Sequence, residues 1–236
     1  AIAVLVPLAF WQLASSWVGK KWISSPLDVA QRIWFMLLDG SLEMHTWETF
    51  KEAIIGLVIG VALGIVLGII LGLSRRLSDA VDPVVMGLYS LPRVSLAPLF
   101  IIWLGIGLFA KVALVASMVV FVVLFNVREG VRSIDREVID AFRSMNASRT
   151  ALIRHVIVPS LVPWLLTAVR IGIGMALVGA VVGEMIGASR GLGWYVNHTS
   201  GVYDMTGSIT ALFILMLLAM IFNGVLAFIE RKVLHW

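Results

Sequence analysis

The stretch IIGLVIGVALGIVLGIILGL, residues 54–73, runs for twenty residues without a single charge. A helix crossing roughly 30 Å of hydrocarbon takes about 20 mostly apolar residues, so this stretch reads as a membrane crossing. It also carries Gly56, Gly60, Gly64, Gly68 and Gly72, one every four residues. Positions four apart share a helix face, and a stripe of small residues lets a second backbone approach closely. In lipid, where burying apolar surface gains little, such close van der Waals contact is what drives helices together. The stripe therefore reads either as tight packing inside a bundle or as an interface that slides. Gly179, Gly183 and Gly187 repeat the device more briefly.

Outward from that span, the same test finds five more: 2–18, 81–104, 107–127, 160–187 and 207–230, with the glycine span itself at 50–73. The expected fold is an all-α membrane protein of six transmembrane helices, with residues 1–236 forming one transmembrane domain. Composition agrees: 60% of the 236 residues are hydrophobic and 14% charged, and the mean hydropathy of +1.01 lies far above that of soluble domains. The formal charge of +4 sits in the gaps between apolar runs, which points to topology and away from a nucleic-acid partner. The absence of cysteine removes disulfides, thiolate metal sites and cysteine nucleophiles. The opening AIAVLVPLAFWQLASSW lacks a basic n-region, so it reads as a trimmed first span with residues missing before Ala1, and not as a cleavable signal.

An even number of spans puts both ends on one side, and the basic residues choose it. Arg75 and Arg76 follow the second span; Arg128, Arg132, Arg136, Arg143, Arg149 and Arg154 follow the fourth; Arg231 and Lys232 follow the sixth. The positive-inside rule makes these gaps and both termini cytoplasmic. Residues 20–48 are then external, and PLDVAQRIWFML within them reads as an amphipathic helix, about 26–39, lying in the interface.

Span three contains Pro92 and Pro98. Proline costs roughly 3 kcal/mol in a helix interior, and broken helices at membrane depth line protein or a water-filled cavity. Arg93 sits beside the break, ~18 Å deep at 1.5 Å per residue. A central arginine needs a cavity, a partner or a passing anion, so it serves either a pathway or the closure of the broken backbone. Tyr89, Ser90 and Ser95 flank it as pathway candidates. Arg170 and Glu184 share a face of span five but stand ~21 Å apart along it, too far to pair. Each reads as an anchoring residue or as a further pathway candidate. Lys111 reads as a snorkelling residue at the end of span four.

Between spans four and five the chain turns polar. Asp135 is placed to cap a helix REVIDAFRSM, Asn146 suits a left-handed turn, Ser148 is placed to cap a second helix RTALIRHVIV, and Pro159 leads into span five. Asp140, Ala141, Arg143, Ser144, Met145, Asn146, Ala147, Ser148 and Arg149 make a small charged knob suited to a socket on another protein; a solvated loop is the alternative.

From Asp140 to Pro159 the chain reads D-A-F-x3-N-x9-V-x-V-P. This resembles the E-A-A-x3-G-x9-I-x-L-P motif of permeases of binding-protein-dependent ABC importers, with Asp140, Phe142 and Asn146 as its departures. More of the chain is similar to the nitrate, taurine and alkanesulfonate branch: SSPLDV, LGLSRRLSDAVDP, LPRVSLAPLFIIWLGIG, GEMIGASRGLGWYV and FIERKVLHW. Sulfonate-type members are expected to carry a basic residue nearer the position of Tyr89, where this chain has Tyr89 and Arg93. The resemblance implies a type I importer permease in a bacterial inner membrane, with the knob as a coupling helix on cytoplasmic ATP-binding subunits. It further implies a second permease copy, an external solute-binding protein and a small anionic solute such as a sulfonate or nitrate. The chain has no G-x4-G-K-[ST], so ATP binding is expected in a separate chain, with no cofactor here. A secondary transporter or channel is the other reading, although no internal repeat is visible. An embedded enzyme is disfavoured, because His45, His155, His198 and His235 lie far apart and no H-E-x-x-H occurs.

Overall fold

A computed structural model describes residues 2–19, 22, 24–145 and 148–233, and all regular structure among them is helical. The order is α1 (Ile2–Val18), α2 (Pro26–Leu38), α3 (Ser41–Leu73), α4 (Arg75–Ser90), a 3-10 turn (Arg93–Leu96), α5 (Ala97–Leu104), α6 (Leu108–Arg132), α7 (Arg136–Ser144), α8 (Arg149–Leu152), a π turn (Ile153–Ile157), α9 (Val158–Gly187), α10 (Leu192–Gly201) and α11 (Met205–Val233).

The glycine stripe decides the packing. On α3, Gly56, Gly60, Gly64, Gly68 and Gly72 meet Val115, Val119, Val123, Val127 and Val131 of α6, one glycine to one valine. A Cβ on Gly60 would stand 2.7 Å from the Val119 Cβ, and one on Gly64 would stand 2.7 Å from the Val120 carbonyl oxygen. Only glycine permits this approach. Residue numbers rise together on both helices, so α3 and α6 run parallel. Helix α9 crosses α6 the other way, with Gly172, Gly179 and Gly183 against Val119, Val115 and Lys111. Val115, Val119, Val123, Ile173, Ala176 and Ala180 form the core between them, and Leu218, Phe222 and Leu226 of α11 close it.

Four helical paths are long and apolar enough to cross a membrane: α3, α6, the run Thr150–Gly187 and α11. The pair α4 and α5 forms a fifth, bent by 82°. Helix α1, with 17 described residues, stands at the lower end of the roughly 17–25 that a crossing takes. Of the six expected spans, four, or five with the bent pair, meet this measure of length and composition among the described residues. Span two also starts earlier than its apolar run, because α3 extends back to Ser41 and reaches 33 residues. At 1.5 Å each it is ~50 Å long, more than the hydrocarbon is thick.

The helix expected at about 26–39 is α2, Pro26–Leu38. Pro26 opens α2, the Ser25 hydroxyl accepts from the Asp28 N–H, and the Asp28 carboxylate accepts from the Ser25 N–H and hydroxyl. Arg32 pairs with Asp204 at 2.9 Å, and the Trp11 indole donates to the Ser24 carbonyl, tying α2 to α11 and α1. Gly40, at φ 76°, makes the left-handed joint into α3.

Replacing Gly64 with Val is expected to cost at least about 1–3 kcal/mol by overpacking, because the obstacle is backbone as well as side chain. Leu63→Val on the adjacent exposed face should stay within about 0.5 kcal/mol. Thermal unfolding of the purified variants in detergent measures both.

Candidate functional site

The break in span three lies at Leu91 and Pro92, which separate α4 from the 3-10 turn. Proline offers no N–H, so carbonyls of the preceding turn lose their helical partners. Arg93 supplies one replacement, donating from Nη2 to the Tyr89 carbonyl at 3.2 Å. Its guanidinium also lies 4.5 Å from the centre of the Phe121 ring and 5.0 Å from that of Tyr89. Tyr89 meets Phe125 edge-on at 5.0 Å. Such cation–π contacts are worth about 0.5–2 kcal/mol. No carboxylate pairs with Arg93 among the described residues. Tyr89, Ser90, Arg93 and Ser95 flank the bend, and all but Arg93 are exposed. Arg93 therefore closes backbone and still presents a half-buried cation.

The other two intramembrane charges go elsewhere. Arg170 pairs with Glu230 of α11 at 2.5 Å, away from the bend. Glu184 is 0% exposed, enclosed within the protein. Its Oε1 accepts from the Thr49 hydroxyl at 2.7 Å and its Oε2 from the Gly193 N–H at 2.6 Å. The Leu192 N–H donates to Thr49 Oγ1 and the Gly191 N–H to His45 Nδ1. Three successive N–H groups at the start of α10 are thus held by α3 and α9. A carboxylate there also complements the positive end of the α10 dipole.

Beside this network Lys111 pairs with Glu52 of α3. The snorkelling expectation for Lys111 is overturned: it is 9% exposed, and Glu52 is 1% exposed. A lysine enclosed by helices cannot reach the interface, so a buried carboxylate neutralises it instead. Glu52 Oε2 has no donor. Glu52, Thr49 and His45 escaped the sequence reading because they precede the apolar run. Their places four, seven and eleven residues before Gly56, on the same helix face as the glycine stripe, were the available signal.

At the opposite, basic end, Arg128 pairs with Asp82, and Arg132 donates to Ser78 at 2.7 Å. These bonds hold the base of α4 against α6. Asp135 caps α7 by accepting from the Glu137 N–H at 3.0 Å, and Ser148 caps α8 by accepting from the Ala151 N–H at 3.2 Å, both as expected. Asp140, Ser144, Met145 and Ser148 are exposed, Met145 by 78%. Asn146 and Ala147 lie outside the described residues, and for Ala141, Arg143 and Arg149 only the helical backbone is described. Pro159 does not begin a separate span. The Val158 N–H reaches back five residues to the Ile153 carbonyl, and the widened π turn carries the helix through, so Thr150–Gly187 is one path. Outside the spans, Asp39 accepts from the hydroxyl and N–H of Ser41, which holds its carboxyl below the usual range.

Residues 60–235 match the family described as binding-protein-dependent transport system inner membrane component. The chain is 39% identical to the riboflavin transport system permease protein RibX of Chloroflexus aurantiacus, over all of this chain and 88% of the relative. It is 34% identical to the putative aliphatic sulfonates transport permease protein SsuC of Escherichia coli, over 97% and 88%. It is 29% identical to the formylaminopyrimidine transport permease protein ThiX of Halalkalibacterium halodurans, over 98% and 93%. Among solved structures, the MetNI methionine ABC transporter shares the fold at a TM-score of 0.75 and 22% identity, covering 83% of this chain and 97% of that one. An amino acid ABC transporter does so at 0.68 and 18%, covering 85% and 97%.

Removing one partner of a buried ion pair costs about 3–5 kcal/mol, whereas replacing both by apolar groups is often neutral. Lys111→Met is expected to lose that much, and Lys111→Met with Glu52→Leu to regain most of it. Thermal unfolding across the double-mutant cycle measures the coupling.

Proposed function

The chain belongs to the inner-membrane components of binding-protein-dependent transport systems, the permease subunits of ABC importers, and from that premise we propose how its parts divide the work. The basic end, with Arg75, Arg76, Arg128 and Arg132, faces the cytoplasm of a bacterium and α11 ends on that side; with α1 as a sixth crossing, the start of the chain lies there too. Helix α7 and the turn into α8 form the knob that seats on a separate ATP-binding subunit, with Asp140, Ser144, Met145 and Ser148 on its surface. Ala141, Arg143, Asn146, Ala147 and Arg149 are the remaining candidates for that coupling.

One observation carries this reading: the unbroken helical path from Thr150 to Gly187, 38 residues. At 1.5 Å each it spans ~57 Å, so a push at Ser148 arrives at Glu184 and the start of α10. A flexible loop would absorb that displacement. Two permease copies, most simply identical, surround the pathway above two ATPases. ATP hydrolysis belongs to the partner chains, and an external binding protein delivers solute at the end bearing α2 and α10.

The pathway runs past the bend, where Tyr89, Ser90, Arg93 and Ser95 lie. A cation without a carboxylate partner favours a small anionic solute or one rich in hydrogen-bond acceptors. The relatives' names run from riboflavin to aliphatic sulfonates, so the family alone selects none. Arg170, paired with Glu230, and Glu184, enclosed by donors, serve that pathway by positioning α9 against its neighbours.

Met145→Glu is expected to lower solute-stimulated ATPase activity of the reconstituted transporter at least about tenfold, the ratio that 1.4 kcal/mol of lost docking produces. Assembly of the permease should be unchanged, and full activity in the variant would remove the knob from the coupling. Arg93→Ala should reduce uptake of an anionic solute by vesicles more than it reduces folding, with Arg93→Lys intermediate; equal uptake by all three would take Arg93 out of the pathway.

A further inference from the structure

Where α2, the first turn of α3 and α10 meet, they enclose an open-sided cavity of about 630 Å³. Small-molecule sites run from roughly 300 to 1,000 Å³ and combine apolar or aromatic walls with a few placed polar groups. Here the walls are rings. Phe35 comes from α2, His45 from α3, and Trp194, Tyr195 and His198 from α10. His45 stacks on Trp194 at 5.3 Å and 17°, and Trp194 stacks on His198 at 4.9 Å and 9°. This ladder of near-parallel rings ends on His198, which is exposed. Phe35, 64% exposed, offers another ring face.

The ladder is held before any ligand arrives. Gly191 donates to His45 Nδ1, which leaves the ring proton of a neutral His45 on Nε2. The clamp on Leu192 and Gly193 fixes the start of α10, and hence Trp194 and Tyr195. The polar edge is equally constrained: Arg32 is gripped by Asp204 and reaches the Tyr195 hydroxyl, while Asp39 accepts from Ser41. Preorganised groups cost little to order on binding.

We propose that this cavity binds a planar aromatic molecule with a hydrogen-bonding edge, its ring stacked on the Trp194–His198 ladder. As the place where a solute released at the outer face first rests, the site depends on the importer orientation proposed above; the binding itself does not. An aliphatic anion gains nothing from stacked rings, so selection here runs by shape and π surface, separately from the cation at Arg93.

Saturation-transfer NMR on the transporter in lipid nanodiscs without nucleotide tests this, with 4-hydroxyquinoline and cytosine as planar probes and propanesulfonate as the ring-free control. The planar probes should receive saturation and propanesulfonate should not. His198→Ala, at an exposed position, and Trp194→Leu should weaken ring binding about tenfold, while Trp103→Ala on α5 leaves it unchanged. Ring signals that persist in both cavity variants, equal binding of propanesulfonate, or a lipid that fills the cavity and excludes the rings would each overturn the proposal. So would loss of binding-protein docking in His198→Ala without any ring binding to the parent, which would make the cavity a protein contact. Because no ATP or transport enters the readout, these results stand apart from the coupling test on Met145.

Discussion

The contact between the glycines of α3 and the valines of α6 sets the terms for everything else in this protein. In lipid no hydrophobic drive holds two apolar helices together, so their attraction depends on how closely they approach. Glycine every fourth residue on one helix and valine every fourth on the other bring the backbones within the reach of a single side chain along five successive pairs. Because these two helices are parallel, the chain must return across the membrane between them. The bent pair of α4 and α5 makes that return, and its 82° bend leaves Arg93 beside Phe121 and Tyr89 beside Phe125, both on α6.

A repeat of identical pairs has a weakness: a slip of four residues, ~6 Å along the axis, would again set glycine against valine. Polar groups near the two ends of the seam discriminate against that slip. Glu52 meets Lys111 at one end, and Arg128 and Arg132 meet Asp82 and Ser78 of α4 at the other. A buried charge left without its partner is far costlier than any change in apolar contact. The same end that holds Glu52 also captures Glu184 and the start of α10. The continuous run from Thr150 to Gly187 then joins the exposed basic end to this network, so one helical path serves both ends of the molecule.

Much of this was legible in the residues. The glycine stripe, the amphipathic helix opened by Pro26, the break at Pro92 and the caps Asp135 and Ser148 are local, because each follows from periodicity, from a missing N–H or from a side chain bonding a few positions away. Lys111 was misread for the opposite reason: its position near a span end is local, but its enclosure by α3 and α9 is not. Pro159 was read as leading into span five after a separate second helix, whereas a π turn joins the two into one helical run.

By itself the sequence determined that the chain lives in a membrane, where its long apolar helices lie, which of them breaks and where a charged segment interrupts them, since apolar length, helical period and proline act within one segment. Only the tertiary structure decided that α3 and α6 run in parallel register, that Glu52 and Glu184 are enclosed, that Arg170 turns to Glu230, and that His45, Trp194 and His198 stack into one wall. Those facts depend on which helix faces which. In lipid that choice is made by close fit and by the cost of an unpaired charge, both of which exist only between segments.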